Sequence, residues 1–454
     1  MAAPPATASA PRLRRTLTLW DLILYGVIVI QPVAPMSVFG VLSNRGRGHV
    51  VTTILIAMVA MLFTAISYGR MARAYPSAGS AFTYVGQEIN PALGYVTGWS
   101  MVMDYMLNPM ICIIWCSQQA HVFASAIPYW GWAIFFAVVF TGLNIQGVKT
   151  SARVNTALAA GMGVVITIFF VAAVRYVFGH PHGGGDFFTQ PFYDPQMWNT
   201  KAVLGGTSIA VLTYIGFDGI STLSEEAENP RRNILWATVL TCVVIGVLSA
   251  IEVYAAQLIW PASQPFPNED TAFVFVAARA WPPLFAVVGF TLLVANFGSG
   301  MGAQLGAARL LYGMGRSSAL PKSFFGAVDP KRHVPRNNVI FVGLVALIGA
   351  LLVSYGVFSY GLGAEMLNFG ALIAFMGVNL AALMRYYVRG SEKKITDLLP
   401  PVFGFLVCLL LWLNLSRPAK IAGAIWMLVG IAFGAWKTRG FRGNLIDFEL
   451  PQEE

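Results

Sequence analysis

Apolar residues run along this chain in stretches of about twenty, each closed by a short polar loop, and that repeat sets the architecture. A helix needs roughly 20 predominantly apolar residues to cross a hydrocarbon core of about 30 Å. Twelve such windows can be placed, at 18–42, 50–71, 94–118, 129–148, 156–178, 200–224, 233–258, 284–306, 337–356, 362–386, 397–415 and 419–436. The pattern predicts an all-α polytopic membrane protein with 12 transmembrane helices. No large soluble domain is left over.

Two windows are interrupted. The first reads LILYGVIVIQPVAPMSVFGVL, with Gln31, Pro32 and Pro35 near its middle, and each proline removes a backbone donor, so the helix must kink or unwind there. The sixth reads GGTSIAVLTYIGFDGISTL, in which Gly216 and Gly219 bracket Phe217 and Asp218 and weaken the helix at similar depth. Interrupted segments in corresponding positions of two halves point to a substrate site, and first-and-sixth is the spacing of a five-plus-five inverted repeat. Ordinary packing is the competing reading, since proline and glycine are both frequent in membrane helices.

Composition agrees with the windows. Of 454 residues 57% are apolar and only 11% charged, with a mean hydropathy of +0.66. Lys and Arg are distributed unevenly: with an inside N-terminus the outer loops hold Arg45, Arg47, Arg175, Lys201, Arg279, Arg417 and Lys420, and the other 22 of the 29 fall inside. Both termini are therefore expected in the cytoplasm, with the protein in the plasma (inner) membrane, surrounded by lipid. The net charge of +9 follows from this topology; the bases are scattered over inner loops without forming a stripe, so no nucleic acid partner is expected. The expected organisation is a cytoplasmic tail at 1–16, a core of ten helices at 17–388, two further helices at 389–436 and a second cytoplasmic tail at 437–454.

The four cysteines, Cys112, Cys116, Cys242 and Cys408, all lie inside windows and lack metal-ligand spacing. They read as small packing residues. No metal cluster, nucleophile motif or nucleotide loop is visible, so neither an enzyme nor a cofactor is expected, and a channel would normally show a pore motif in place of two broken helices.

At this level of detail nearly the whole chain, from Leu17 to about Phe441, resembles the amino acid/polyamine/organocation transporter superfamily. The resemblance rests on four ordered motifs: YPSAGSAFTY (75–84), NIQGVKTSARVN (144–155), GFD followed by SEEAENPRRNI (216–234), and ARLLYGMGRSSALP (308–321). Within the superfamily, LTLWDLILYGVIVIQP, PMSVFG, LFTAISYGRM, GWSMVMDYMLNPM and TLSEE look like the subgroup of bacterial putrescine importers. The resemblance implies two inverted five-helix repeats plus two extra helices, with substrate held among the first, third, sixth and eighth helices and moved by alternating access. An amino acid permease of the same superfamily is the alternative.

The charge balance favours an amine substrate. Amino acid carriers of the superfamily typically hold the substrate carboxylate on backbone N–H groups at a Gly-rich break in the first helix; here that break is Gln31-Pro32-Val33-Ala34-Pro35, poor in donors. Asp104, Asp218, Glu225, Glu226 and Glu252 lie in or near the windows, with no obvious intramembrane base to pair a carboxylate. A small organic cation such as putrescine suits these residues.

Asp218 is the first candidate to pair a substrate ammonium, since intramembrane acids usually face a cavity, an ion or a substrate. Asp104 with Tyr105 is placed either at the second amine of a diamine or in a structural hydrogen bond. Tyr214 and Phe217 either close over the alkyl chain or simply pack. Gln31, Pro32, Gly216 and Asn296 complete the substrate site. Thr222 and Glu225, at i+4 and i+7 from Asp218, share its face if the segment resumes as an α-helix; Glu225 and Glu226 extend the cation path or form an inner-end charge pair with Arg231 and Arg232. Glu252 is expected to be wet near the outer end of its window. Met162 stands near the place where some relatives carry a Lys, and H+ through Asp218, Asp104 or Glu225 is the favoured coupling ion. Oligomeric state has no signature.

Overall fold

The computed structural model describes residues 17–75, 80–147, 152–181, 184–223, 227–316, 320–332, 334–438 and 440. These form α1 (Leu19–Ile30), α2 (Ala34–Arg45), α3 (Val50–Ala74), α4 (Ser80–Glu88), α5 (Pro91–Phe123), α6 (Tyr129–Ile145), α7 (Ala152–Gly179) and α8 (Thr200–Ala210). The second part holds α9 (Pro230–Ile259), α10 (Ala272–Ala280), α11 (Leu284–Arg316), α12 (Lys322–Phe325), α13 (Arg336–Val353), α14 (Tyr360–Leu383), α15 (Ile395–Leu413) and α16 (Arg417–Lys437). Among the described residues there is no strand, only an isolated bridge from Leu17 to Ala227. The chain is an all-helical, multi-pass membrane protein. Ten helical segments are long and apolar enough to cross a bilayer, and the bent pair α1–α2 makes an eleventh. The helix α6 is apolar but shorter, at 17 residues.

All twelve apolar windows fall mainly on helix, and caps set several of the starts. Thr18 opens α1 with a capping box, donating its N–H to Asp21 Oδ2 at 2.9 Å while Asp21 N–H returns to Thr18 Oγ1 at 3.3 Å. Asn90 opens α5 by accepting from Ala92 N at 2.7 Å, with Pro91 at the first position, where its missing N–H costs nothing. The short helices α4, α10 and α12 are not predicted, because each is too brief to register as a window. The tails at 1–16 and beyond Gly440 lie outside the described residues.

The long helix α5 runs through the middle of the bundle, buried along almost its whole length, with α11, α14, α6 and α13 around it. A second tight pair is α3 with α9. Small residues and hydroxyls let these helices approach, as membrane packing requires in the absence of a hydrophobic drive between helices.

The two ends of the bundle are closed differently. At the end carrying Leu17, Glu88 of α4 is 3% exposed and ion-paired with Arg385 and with Arg389, the latter at 3.2 Å, while Tyr75 donates to it at 2.7 Å. Leu17 O accepts from Glu228 N at 2.8 Å, tying the start of the first span to the end of the sixth. At the opposite end Arg45 of α2 meets Glu365 of α14 at 3.3 Å. There the loop before α10 lies directly on α2: a Cβ at Gly40 would collide with the Glu269 carbonyl and the Ala272 side chain, so only glycine permits this approach.

Candidate functional site

The first span breaks where its sequence says it must. Helix α1 ends at Ile30, and Gln31 takes a left-handed φ of 70°, its N–H still donating to Val27 O at 3.0 Å. Helix α2 resumes at Ala34, with Pro35 in its first turn, bent 47° from α1. Helix α11 grips both sides of this break. Gln31 Nε2 donates to Ala295 O at 2.6 Å, and Asn296 Nδ2 donates to Ser37 Oγ at 3.0 Å and to Leu292 O at 2.9 Å. Gln31 and Asn296 thus fix the broken backbone, and Pro32 is buried at the break.

The sixth span breaks more completely than the first. Helix α8 stops at Ala210, a 3-10 turn covers Val211–Tyr214, Ile215 is extended, and a second 3-10 stretch runs Phe217–Leu223. The turn between them is Gly216 at φ 120°, a region that L side chains rarely enter. A Cβ there would also stand 3.1 Å from Val29 Cγ1 and 3.3 Å from Ile30 Cγ1, so the two breaks touch. Gly216→Ala should therefore cost roughly 1–3 kcal/mol at the turn and strongly reduce transport, read as uptake per molecule of inserted protein. Uptake equal to wild type would show that the turn is not needed.

The 3-10 geometry changes which residues share a face with Asp218. At 3.0 residues per turn the neighbour is i+3, and Ser221 accordingly donates to Asp218 O at 2.6 Å and lies 3.3 Å from Ser80 Oγ on α4. From Phe217 through Leu223 the backbone keeps the 3-10 period, so the α period on which a shared face of Thr222 and Asp218 depends is not present there; the side chain of Thr222 lies outside the described residues. Glu225 and Glu226 lie outside the described residues.

Asp218 itself is 6% exposed, and its carboxylate sits among the backbone N–H groups of Gly216, Asp218 and Gly219. On α5, Asp104 is 7% exposed and near enough for the charge of Asp218 to reach it. Tyr105, beside it, feels both carboxylates, and its ring is 3.3 Å from the Cβ position of Gly306 on α11. No Lys or Arg among the described residues acts on either acid. Tyr68 of α3 and Tyr84 of α4 are also within the field of Asp218. Met162 is buried on α7.

Tyr214 and Phe217 turn into the helix packing. Tyr214 donates to Ile54 O at 2.9 Å and is fully buried between α3 and α9. Phe217 meets Tyr68 edge-on at 5.5 Å and Phe375 at 5.3 Å, and Tyr68 continues to Tyr84 at 6.1 Å. The two rings anchor the unwound segment on either side of Gly216. Their burial was legible only as apolar character, since a break gives no period from which to assign a face.

Sequence reasoning missed Tyr25, whose hydroxyl comes 4.0 Å from the Cβ position of Gly219, together with Tyr68 and Tyr84, which read as ordinary span aromatics. It misplaced Glu252. That residue is not wet: it is 0% exposed, because α9 runs on to Ile259 and neighbouring helices cover it.

Asp270, in the loop before α10, is held outside the spans at the Arg45 end. Burial, and then the charge of Glu269, push its carboxyl up to about 7. The folded state thus holds this proton more tightly than the unfolded chain, so its stabilising contribution is complete below about pH 4 and is lost as pH rises through about 7. Allowing for partial exposure, the loss is about 2 kcal/mol. Asp270→Asn should narrow the gap between thermal midpoints measured at pH 5 and pH 8; an unaltered gap would exclude this residue as its source.

Comparison with known proteins identifies the family. The family described as amino acid permease matches residues 33–429. The chain is 34% identical over 450 residues to the low-affinity putrescine importer PlaP of Escherichia coli (strain K12), covering 97% of each. It is 25% identical to the branched-chain amino acid permease BcaP of Bacillus subtilis (strain 168), covering 94% of this chain and 93% of the relative. It is 24% identical to the methylthioribose transporter of the same organism, covering 94% of each. These relatives are transporters and not enzymes. The chain belongs to the amino acid permease family, within the amino acid/polyamine/organocation superfamily.

Proposed function

We propose that this protein is a secondary active transporter that imports a small organic cation, putrescine or a related diamine, by alternating access. The observation that carries the reading is the pair of buried acids, Asp218 at the break of the sixth span and Asp104 on α5 within reach of its charge, with no Lys or Arg among the described residues acting on either. Two carboxylates without a counter-charge form a poor site for an amino acid carboxylate and a good one for two ammonium groups. The resemblance to a putrescine importer over 97% of both chains supports the same substrate class.

In this reading Asp218 pairs one ammonium and Asp104 the other. Tyr105 and Tyr25 border the amines, while Gln31, Pro32, Gly216 and Asn296 hold the broken backbone in place. Thr222, Glu225 and Glu226 line the way to the cytoplasm. The chain crosses the inner membrane twelve times, as a five-plus-five inverted repeat with two added helices, and the excess of Lys and Arg puts both termini inside. The coupling ion is H+. An amino acid permease is the second reading, favoured by the resemblance to BcaP. Uptake of labelled putrescine and of neutral and cationic amino acids into proteoliposomes, under separate pH and sodium gradients, decides between them. Full competition by amino acids with no diamine uptake would overturn the first reading.

A further inference from the structure

Glu252 is a buried acid that the substrate site does not use. It stands ten residues beyond Cys242, the α9 residue reached by the charge of Asp218, and therefore about 15 Å further along the helix toward the Arg45 end. Its side chain is 0% exposed, and neither carboxyl oxygen has a protein hydrogen-bond partner among the described residues. The hydroxyls of Thr241 and Ser249 are likewise buried without a protein partner. At 100° per residue the three side chains fall within about 80° of one another, on one stripe of α9. The stripe faces the first span, for Thr241 Oγ1 is 2.8 Å from the Cβ position of Gly26 on α1.

Helix α9 packs against α1, α2, α3, α7, α10 and the two 3-10 segments. Their ionisable groups include Tyr25, Arg45, Tyr68, Arg175, Arg279 and Asp218, and none of these or the others places charge on Glu252, whose surroundings act on it through burial alone. Arg45 is engaged with Glu365 and Arg279 with Tyr176 and Gln264. A bare carboxylate with no donor and no counter-charge is too costly in such a place, so the group is kept as the neutral acid or beside a small cation. A proton satisfies this without further ligands. A metal cation would ask for several oxygens, and two hydroxyls spread along the stripe do not supply a shell.

We propose that Glu252 is the proton-carrying residue of the transport cycle. It takes a proton from the outer side, holds it while α9 is packed against the first span, and gives it up inward when the broken segments move. Asp218 and Asp104 are thereby left for the substrate. The proposal rests on the transport reading above and adds the coupling residue to it.

The test uses full-length protein in proteoliposomes loaded with a pH-sensitive dye, with labelled putrescine as substrate. In wild type, substrate entry should bring protons in, and an inward proton gradient should drive accumulation. Glu252→Gln should lose both while still exchanging internal for external putrescine. Infrared difference spectra of the purified protein at neutral pH supply a readout that needs no substrate: beside the protonated-carboxyl stretch that Asp270 also contributes, wild type should show a component that is missing from Glu252→Gln and shifted in Glu252→Asp. The proposal is overturned if Glu252→Gln keeps gradient-driven accumulation, if the infrared band is unchanged by both substitutions, or if accumulation follows sodium and loses that dependence in the variant. Should wild type carry amino acids and not putrescine, the cation reading fails by itself, and the same dye and infrared measurements with the transported amino acid still decide the role of Glu252.

Discussion

Asp218→Asn is expected to abolish diamine uptake while leaving insertion and the thermal midpoint close to wild type. The side chain is 6% exposed and held at a break lined by backbone N–H groups, for which the amide oxygen of Asn keeps one of the two carboxylate acceptors. The loss therefore falls on charge. Removing one partner of a buried ammonium–carboxylate pair costs about 2–5 kcal/mol, and about 3 kcal/mol is roughly a hundredfold in affinity. Binding of labelled putrescine to purified protein, set beside uptake by proteoliposomes, separates an affinity loss from a block in movement. Wild-type uptake by this variant would remove Asp218 from the mechanism.

Asp104→Asn is expected to act on the second amine only. Diamine uptake should fall by about tenfold or more, whereas a monoamine of the same chain length, which has nothing to offer Asp104, should enter as it does in wild type. The comparison is informative because Asp104 has no hydrogen-bond partner in the bundle among the described residues that the substitution would leave unpaired. If diamine and monoamine uptake fall together with the thermal midpoint, Asp104 is a structural residue, and the two-carboxylate site fails.

Both outcomes depend on the crossing of the two breaks, and the breaks themselves are local events. Pro32 and Pro35 cannot donate to a helix, and the sixth span ends its α-helix well before Gly216 turns the chain at φ 120°. Such interruptions can be read from the residues alone. The conformation beyond a break cannot. Thr222 stacks on Asp218 only if the α period returns, and the chain instead runs on as 3-10 helix, held by Ser221 and by the Ser80 contact from α4. That contact is long-range, so no window of sequence contains it.

Glu252 is a second case of the same limit. An acid seven residues from the end of an apolar span reads as wet, since it lies about 10 Å from the helix end. Whether it is wet depends on what covers that end, and α10 with its preceding loop folds back onto α2 and α9 there. The ion pairs that close the two ends, Glu88 with Arg385 and Arg389 and Arg45 with Glu365, also join residues hundreds of positions apart. Charge sorting assigns Arg45, Arg385 and Arg389 to sides of the membrane without giving any of them an acidic partner.

The sequence by itself determined the class of protein, the apolar windows, the two interruptions and the excess of acid over base near them, because each comes from length, hydrophobicity and backbone chemistry within a few residues. Tertiary structure decided that the interruptions meet at Gly216 and Ile30, that α11 pins the first through Gln31 and Asn296, that Tyr214 and Phe217 pack into the bundle, and that Glu252 is buried without a partner among the described residues. These outcomes depend on which helix faces cover one another, and in a bundle where nearly every surface is apolar the hydrophobic pattern does not choose the facing pairs; close approach of small residues and the demand that every buried polar group find a partner do.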